Sequence, residues 1–225
     1  MKATAQTLTE ASSSEKSWVA VYADLFKARL TFLVLLTTLV GFYVGFRGDV
    51  NYALMLHVLV GTALVAAGAS ALNQLLERDY DGKMRRTRTR PLPSGRLQPQ
   101  TVLVIGSTCA AFGLVYLALA VNLVTAFLGA CSLISYVFIY TPLKRVTWLN
   151  TAVGAIPGGL PPLMGWTAAR GELTSDGWAL FAILAFGNCL ISLRSRGCIA
   201  MNMPKPVFKC CRSSIRKGIA LAGKR

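Results

Sequence analysis

Six long apolar blocks most constrain what this chain can fold into. They cover residues 30–46, 53–76, 101–121, 123–140, 149–166 and 178–193. Each is close to the roughly 20 residues that a helix needs to cross a bilayer core about 30 Å thick. Because 54% of the 225 residues are hydrophobic, only 15% are charged and the apolar residues are concentrated in blocks, a soluble domain is excluded. The sequence predicts an all-α, polytopic transmembrane helical bundle.

The net charge of +15 does not indicate a nucleic-acid-binding protein, because the basic residues follow a membrane topology. The connection between the second and third blocks carries Arg78, Lys83, Arg85, Arg86, Arg88, Arg90 and Arg96. Lys144 and Arg145 lie between the fourth and fifth blocks, and the other connections carry almost no basic residues. An excess of Lys and Arg marks cytoplasmic loops. We therefore expect a multi-pass protein of the cell inner membrane with its N-terminus in the cytoplasm.

The acidic and basic segment at residues 73–91 carries the most specific chemistry. In a helix, Asn73, Glu77 and Asp81 fall at positions i, i+4 and i+8 and share one face. Mg²⁺ suits such oxygen ligands, because it takes one or two protein carboxylates and leaves its other positions for water and substrate phosphate. Ionisable groups at the end of a membrane helix are costly and tend to be functional. These three residues are the predicted catalytic and metal-binding residues.

Charged and polar residues around this face are predicted to bind a diphosphate, since guanidinium and ammonium groups pair with phosphate oxygens. They are Asp79, Lys83, Arg86, Arg90, Tyr140, Lys144 and Arg145. The last three form a second cluster at the cytoplasmic end of the fourth block. Two such clusters above an apolar bundle predict an amphiphilic substrate, with its headgroup in the loops and its hydrocarbon tail between helices.

Three further features have alternative interpretations. Lys27 and Arg29 either anchor the chain at the membrane surface or face the phosphate site. The glycine- and proline-rich run at residues 154–162 is either a kinked packing helix or a wall of a substrate cavity, where membrane bundles tolerate broken helices. His57, the only histidine, is interpreted as a packing or capping residue in preference to a haem or metal ligand.

The motif residues resemble the haem O synthases, or protohaem IX farnesyltransferases, of the membrane prenyltransferase superfamily. The stretch Asn-Gln-Leu-Leu-Glu-Arg-Asp-Tyr-Asp-Gly-Lys-Met from Asn73 is similar to the first aspartate-rich motif of that family, with Glu77 where the family more often has Asp. Tyr-Thr-Pro-Leu-Lys-Arg from Tyr140, followed by residues 149–166, resembles the next signature. The likeness covers roughly residues 27–186 and implies a nine-helix fold of which six helices are present.

The resemblance implies that the chain transfers a farnesyl group from farnesyl diphosphate to a vinyl group of protohaem IX, which makes haem O for terminal oxidases. Mg²⁺ is the implied cofactor, the lipid bilayer is the implied surroundings, and haem A synthase or oxidase-assembly proteins are implied as partners. The alternatives are a related prenyltransferase that acts on a quinone precursor or chlorophyllide, a transporter of an anionic amphiphile, and a non-functional remnant.

We expect three regions: a polar N-terminal arm and interfacial segment at 1–26, the prenyltransferase membrane domain at 27–186, and an out-of-frame basic tail at 187–225. The tail carries nine basic residues, four cysteines and no acidic residue. One nucleotide restored near codon 186 permits Phe-Trp-Gln-Leu-Pro-His-Phe, the continuation that the resemblance implies. In the frame as written, a second acidic motif and the last helices of the family would be missing, and we expect impaired turnover.

Overall fold

The computed structural model describes residues 18–82, 87, 90–143 and 150–202, and all regular structure in them is helical. In chain order the elements are α1 (Trp18–Leu25), α2 (Ala28–Gly45), α3 (Tyr52–Asp81), α4 (Pro99–Ala120), α5 (Leu123–Ile134), a π-helix (Ser135–Tyr140), α6 (Thr141–Leu143), α7 (Asn150–Arg170) and α8 (Ser175–Asn202). Each of the six apolar blocks coincides with helix to within a few residues. The predicted all-α class is confirmed.

Several of these helices are suited to a bilayer. Within the described residues, α2, α3, α4 and the continuous helical segment Leu123–Leu143 are long and apolar enough to cross a membrane. The part of α8 at Ser175–Ile191 is also apolar. Large apolar side chains such as Leu119 and Phe138 are exposed on the outside of the bundle. An outer surface of this kind is unfavourable in water and favourable against lipid tails.

Local sequence explains where the helices begin. The side chain of Asn51 accepts a hydrogen bond from the Leu54 amide at 3.1 Å and caps α3. Asn122 caps α5 in the same way, accepting from the Thr125 amide at 2.7 Å. Pro99 is the first residue of α4, where its missing N–H removes no helical hydrogen bond. These caps satisfy backbone donors that the first turn of a helix leaves without partners.

Small residues allow the close contact between α2 and α7. A methyl group added at Gly41 would overlap the carbonyl of Pro162, and one at Gly165 would overlap the carbonyl of Thr38. Membrane helices use such backbone contact because lipid tails give no hydrophobic drive for helix association. α7 stays helical through its three prolines, so the run at residues 154–162 does not end the helix.

The buried core lies between α3, α4, α5 and α7 and includes Val65, Leu117, Leu128 and Met164. The expected boundary at residue 186 falls inside α8, and the division into three regions stays a prediction. The expected arm up to residue 17 and the expected tail from residue 203 lie outside the described residues.

Candidate active site

The C-terminal part of α3 carries the three predicted ligand residues into the bundle. Asn73, Glu77 and Asp81 are only 1%, 6% and 4% exposed, and their spacing puts them on one helical face. α3 continues to Asp81 and ends there. The local part of the prediction, one helical face with an amide and two carboxylates, is therefore confirmed.

Arg90 pairs with both carboxylates of this face from beyond the end of α3. Its Nη1 lies 2.5 Å from Oδ2 of Asp81 and 3.7 Å from Oε2 of Glu77. The Thr87 hydroxyl donates to the Asp81 carbonyl at 3.0 Å, and the Arg90 amide donates to the Thr87 carbonyl at 3.0 Å. Thr87 and Arg90 thus lie against the C-terminal end of α3. One guanidinium shared between two buried carboxylates offsets part of their desolvation cost.

Lys27 approaches the same face from the connection between α1 and α2. Its Nζ donates to Oδ1 of Asn73 at 2.6 Å and to the hydroxyl of Tyr136 at 3.2 Å. The ammonium group also lies 5.8 Å from the centroid of the Tyr136 ring, within the usual range for a cation–π contact. The structure therefore decides between the two interpretations of Lys27: it faces the site.

Gln74, the neighbour of Asn73, anchors the backbone that carries Lys27. Its Nε2 donates to the carbonyls of Asp24 and Leu25, each at 2.8 Å. Lys27 itself has a φ of 47°, in the left-handed region that non-glycine residues rarely occupy. The two hydrogen bonds from Gln74 stabilise this turn at Lys27, the Lys27 elbow, because they fix the carbonyls at the C-terminal end of α1.

The π-helix shapes the opposite wall. Its wider turn brings Tyr136 and Tyr140 together, with ring centroids 5.8 Å apart and an interplanar angle of 12°. The hydroxyl of Thr141 donates to the Tyr136 carbonyl at 2.8 Å and accepts from Nδ2 of Asn73 at 2.9 Å. Asn73 is therefore held at both ends of its amide. Single π-turns of this kind are frequent at functional sites.

A cavity of about 590 Å³ extends from these polar residues into the bundle, a volume typical of small-molecule sites. Lys27, Asn73, Glu77 and Arg90 line it, and so do Thr62 and Met164. Met164 belongs to the same core cluster as Val65, which lies one helical turn from Thr62 on α3. The helical rise from Glu77 to Thr62 is about 22 Å at 1.5 Å per residue. A cavity that is charged at one end and mainly apolar along its length fits an amphiphile with an anionic headgroup.

The wall also carries two hydroxyls, those of Thr62 and Ser70, with no hydrogen-bond partner in the part of the chain that the structure describes. The glycine- and proline-rich run contributes Gly154, Pro157 and Gly158 to the same wall. This segment is therefore both a packing helix and a cavity wall.

The predicted diphosphate ligands are placed differently from one another. Arg90 and Tyr140 line the cavity, but Asp79 does not reach it. The Asp79 side chain is 78% exposed and pairs with Arg78 at 3.2 Å, because a residue midway between Glu77 and Asp81 points to the opposite face of the helix. Asp79 thus lies away from the cavity, contrary to the prediction. Lys83, Arg86, Lys144 and Arg145 lie outside the described residues, and their roles stay predictions.

Two residues of the site were not predicted from sequence, Tyr136 and Thr141. Tyr136 precedes Tyr140 by four residues, a spacing that brings side chains together on a helix and could have indicated it. The contact between Thr141 and Asn73 joins residues 68 positions apart and has no local signal. His57 lies elsewhere, with Nδ1 2.7 Å from the Tyr116 hydroxyl, an arrangement that fits the packing interpretation.

The donor set of the site fits Mg²⁺ only together with external oxygens. Within the described ranges, no group of three or more His, Cys, Asp or Glu side chains could hold a metal ion. Two carboxylates and one amide oxygen remain on α3. Because Mg²⁺ requires six ligands and commonly takes several of them from water and substrate phosphate, these residues suit a metal that is bridged to a diphosphate.

Similarity to known proteins identifies the family of this chain. Residues 34–194 match the UbiA prenyltransferase family. The chain belongs to this family. Over 172 residues it is 47% identical to the protoheme IX farnesyltransferase of Solibacter usitatus (strain Ellin6076). The matched region covers 72% of this chain and 59% of that protein. The chain spans about half the length of two further protoheme IX farnesyltransferases, 49% of one and 54% of the other.

Solved structures share the fold of this UbiA family member. The structure from work on a digeranylgeranylglyceryl phosphate synthase in membranes superposes with a TM-score of 0.68 at 16% identity, over 76% of this chain and 60% of that one. A UbiA homologue from Archaeoglobus fulgidus, bound to DMAPP and Mg²⁺, superposes with a TM-score of 0.60 at 20% identity, over 73% of this chain and 60% of that one. At these identities the likeness establishes the fold alone.

Proposed function

We propose that this chain belongs to an enzyme that transfers a farnesyl group from farnesyl diphosphate to a vinyl group of protohaem IX. The observation that carries the proposal is the buried face of Asn73, Glu77 and Asp81 at the charged end of a deep, mainly apolar cavity. The name of the Solibacter usitatus relative, a protoheme IX farnesyltransferase, supports the choice of donor and acceptor.

The polar end of the cavity would hold the diphosphate. Asn73, Glu77 and Asp81 would hold Mg²⁺, which would supply Lewis-acid neutralisation of the leaving diphosphate. The structure of the Archaeoglobus fulgidus homologue with DMAPP and Mg²⁺ supports this pairing of metal and prenyl diphosphate. Arg90 and Lys27 would stabilise the negative charge that develops as the diphosphate leaves.

The apolar part of the cavity would hold the farnesyl tail. As the allylic C–O bond breaks, its electron pair stays on the diphosphate, and the vinyl π electrons form the new C–C bond. The carbocation left beside the porphyrin takes up water and loses a proton, which gives haem O. The ring faces of Tyr136 and Tyr140 offer cation–π stabilisation to the allylic cation, and the surrounding bundle limits its premature hydrolysis.

The proposal includes an orientation and surroundings. The basic loops and the diphosphate end would face the cytoplasm, with the chain in the cell inner membrane and its N-terminus on the cytoplasmic side. Haem A synthase and oxidase-assembly proteins are the proposed partners, because they would receive the product. A quinone precursor is the second acceptor to test, since it would use the same diphosphate end.

The test is synthesis of haem O in membranes. The frame-restored chain is expressed, supplied with farnesyl diphosphate, Mg²⁺ and haem, and its products are measured by mass spectrometry. We expect haem O. A folded protein that makes no haem O refutes the acceptor, and prenylation of 4-hydroxybenzoate in its place would move the assignment to quinone synthesis.

The variant Asp81→Ala tests the site within the same assay. We expect it to insert into the membrane normally and to lose turnover by at least a hundredfold, because one of two carboxylates at the metal site is gone. Activity equal to that of the unaltered protein would remove Asp81 from the catalytic site.

A further inference from the structure

The ligand side chains of the proposed Mg²⁺ site are already engaged by cations of the chain itself. The Arg90 guanidinium contacts Asp81 at 2.5 Å and Glu77 at 3.7 Å. The Lys27 ammonium contacts Oδ1 of Asn73, the oxygen that would face a metal, at 2.6 Å. Two carboxylates and two cations thus balance within the described part of this buried end. The oxygens that suit Mg²⁺ are the same oxygens that Lys27 and Arg90 now use.

We propose that Lys27 and Arg90 are exchangeable counter-cations, so that this site takes up Mg²⁺ and diphosphate together and binds Mg²⁺ alone only weakly. The inference rests on the proposed function and adds that the metal and the diphosphate bind together. When the metal–diphosphate unit arrives, Lys27 moves from Asn73 to a phosphate oxygen, and Arg90 moves from the carboxylates in the same way.

Charge explains why the metal alone is a poor ligand. Mg²⁺ placed at Oδ1 of Asn73 would lie beside the Lys27 ammonium, and like charges at such a distance repel strongly where burial limits screening. A diphosphate carries more negative charge than one Mg²⁺ neutralises. It therefore gives both displaced cations new acceptors, with the short, charge-assisted hydrogen bonds that phosphate oxygens form.

The backbone around Lys27 suits a movement of the side chain alone. Gln74 fixes the carbonyls of Asp24 and Leu25 just before it, and the next helix begins at Ala28. Lysine carries its charge on a flexible four-carbon stem, and the Tyr136 hydroxyl and ring stay within its reach. Because Lys27 and Arg90 line the same end of the cavity, both can reach a phosphate placed between them.

The variant Lys27→Met separates this proposal from a purely structural role. The protein in nanodiscs is titrated with Mn²⁺ as the metal probe, followed by electron paramagnetic resonance, first alone and then with farnesyl thiolodiphosphate. We expect Lys27→Met to tighten binding of Mn²⁺ alone by about tenfold and to weaken binding of Mn²⁺ with the thiolodiphosphate by about tenfold. The two effects have opposite signs.

If Lys27 only positions Asn73, its loss would weaken Mn²⁺ binding both with and without the thiolodiphosphate. That result would overturn the proposal. Unchanged affinity for Mn²⁺ alone overturns it as well. Arg29→Met is the matched control, because it removes one positive charge from an exposed position two residues away and should change neither affinity. Lys27→Arg keeps the charge and should preserve the weak binding of Mn²⁺ alone, which guards against loss of folding in the methionine variant.

The failure of the proposed function is distinguishable from the failure of this inference. If the unaltered protein binds no thiolodiphosphate even with Mn²⁺, the proposed function fails. If it binds both together, but Lys27→Met moves the two affinities in the same direction, only the exchange of counter-cations fails.

Discussion

Met164 is predicted to set the length of prenyl chain that the cavity accepts. It is 2% exposed, lines the cavity, and belongs to the same core cluster as Val65, Leu117 and Leu128, about 18 Å along α3 from the level of Glu77. A prenyl tail that starts at the charged end and runs along α3 would reach this side chain last. Replacing Met164 by Ala should therefore admit a longer tail.

The size of the effect follows from the atoms removed. The change deletes three heavy atoms, which is room for roughly three methylenes at about 0.8 kcal/mol each, or about 2.4 kcal/mol. A tail one isoprene unit longer than farnesyl would gain up to this amount, and the ratio of geranylgeranyl to farnesyl diphosphate affinity would rise by up to roughly 50-fold. Partial collapse of the enlarged cavity would lower this value.

Competition in nanodiscs measures the ratio directly. Radiolabelled farnesyl diphosphate with Mg²⁺ is displaced by unlabelled farnesyl and geranylgeranyl diphosphates, and the two dissociation constants are compared. Met55→Ala is the matched control, because Met55 also packs in the core, in a different cluster, and does not line the cavity. A folded Met164→Ala protein with the same ratio as the unaltered protein would refute the argument that this residue closes the tail end.

Two further predictions concern packing and the Lys27 elbow. Gly41→Val should destabilise the bundle by about 2–4 kcal/mol, because its side chain would meet the α7 backbone. The control is Gly187→Ala, where an added methyl meets nothing within 4 Å, and it should leave thermal unfolding in detergent unchanged. Equal melting temperatures for Gly41→Val and the unaltered protein would contradict this view of the helix contact. Gln74→Leu removes two hydrogen bonds to backbone carbonyls and should cost about 1–3 kcal/mol. Increased proteolysis between α1 and α2 would reveal it, and unchanged cleavage there would count against an anchoring role.

Asp79 illustrates a misplaced residue that the sequence itself could have corrected. The motif groups it with Glu77 and Asp81, but helical periodicity puts the middle residue of such a triplet on the opposite face. The structure has it exposed and paired with Arg78. The same periodicity correctly predicted the shared face of Asn73, Glu77 and Asp81, so the physical rule was sound and the error lay in following the motif.

Arg90 and Lys27 show the limit of local reasoning. Arg90 is predicted to bind phosphate, but its contact with two buried carboxylates depends on how Thr87 and Arg90 lie against the end of α3. The Lys27 contact with Asn73 joins residues 46 positions apart. No period or spacing in the sequence encodes such a contact, because it depends on how α1, α2 and α3 pack.

The sequence by itself determined the membrane class, the helical architecture and the face of α3 that carries the candidate ligands. Those properties depend on hydrophobic length and helical period, which are local. The tertiary structure alone decided that Lys27, Tyr136 and Thr141 join this face and that the face opens onto a deep apolar cavity. Side chains meet there only after separate helices have packed, and the energy of packing is shared among residues distant in the chain.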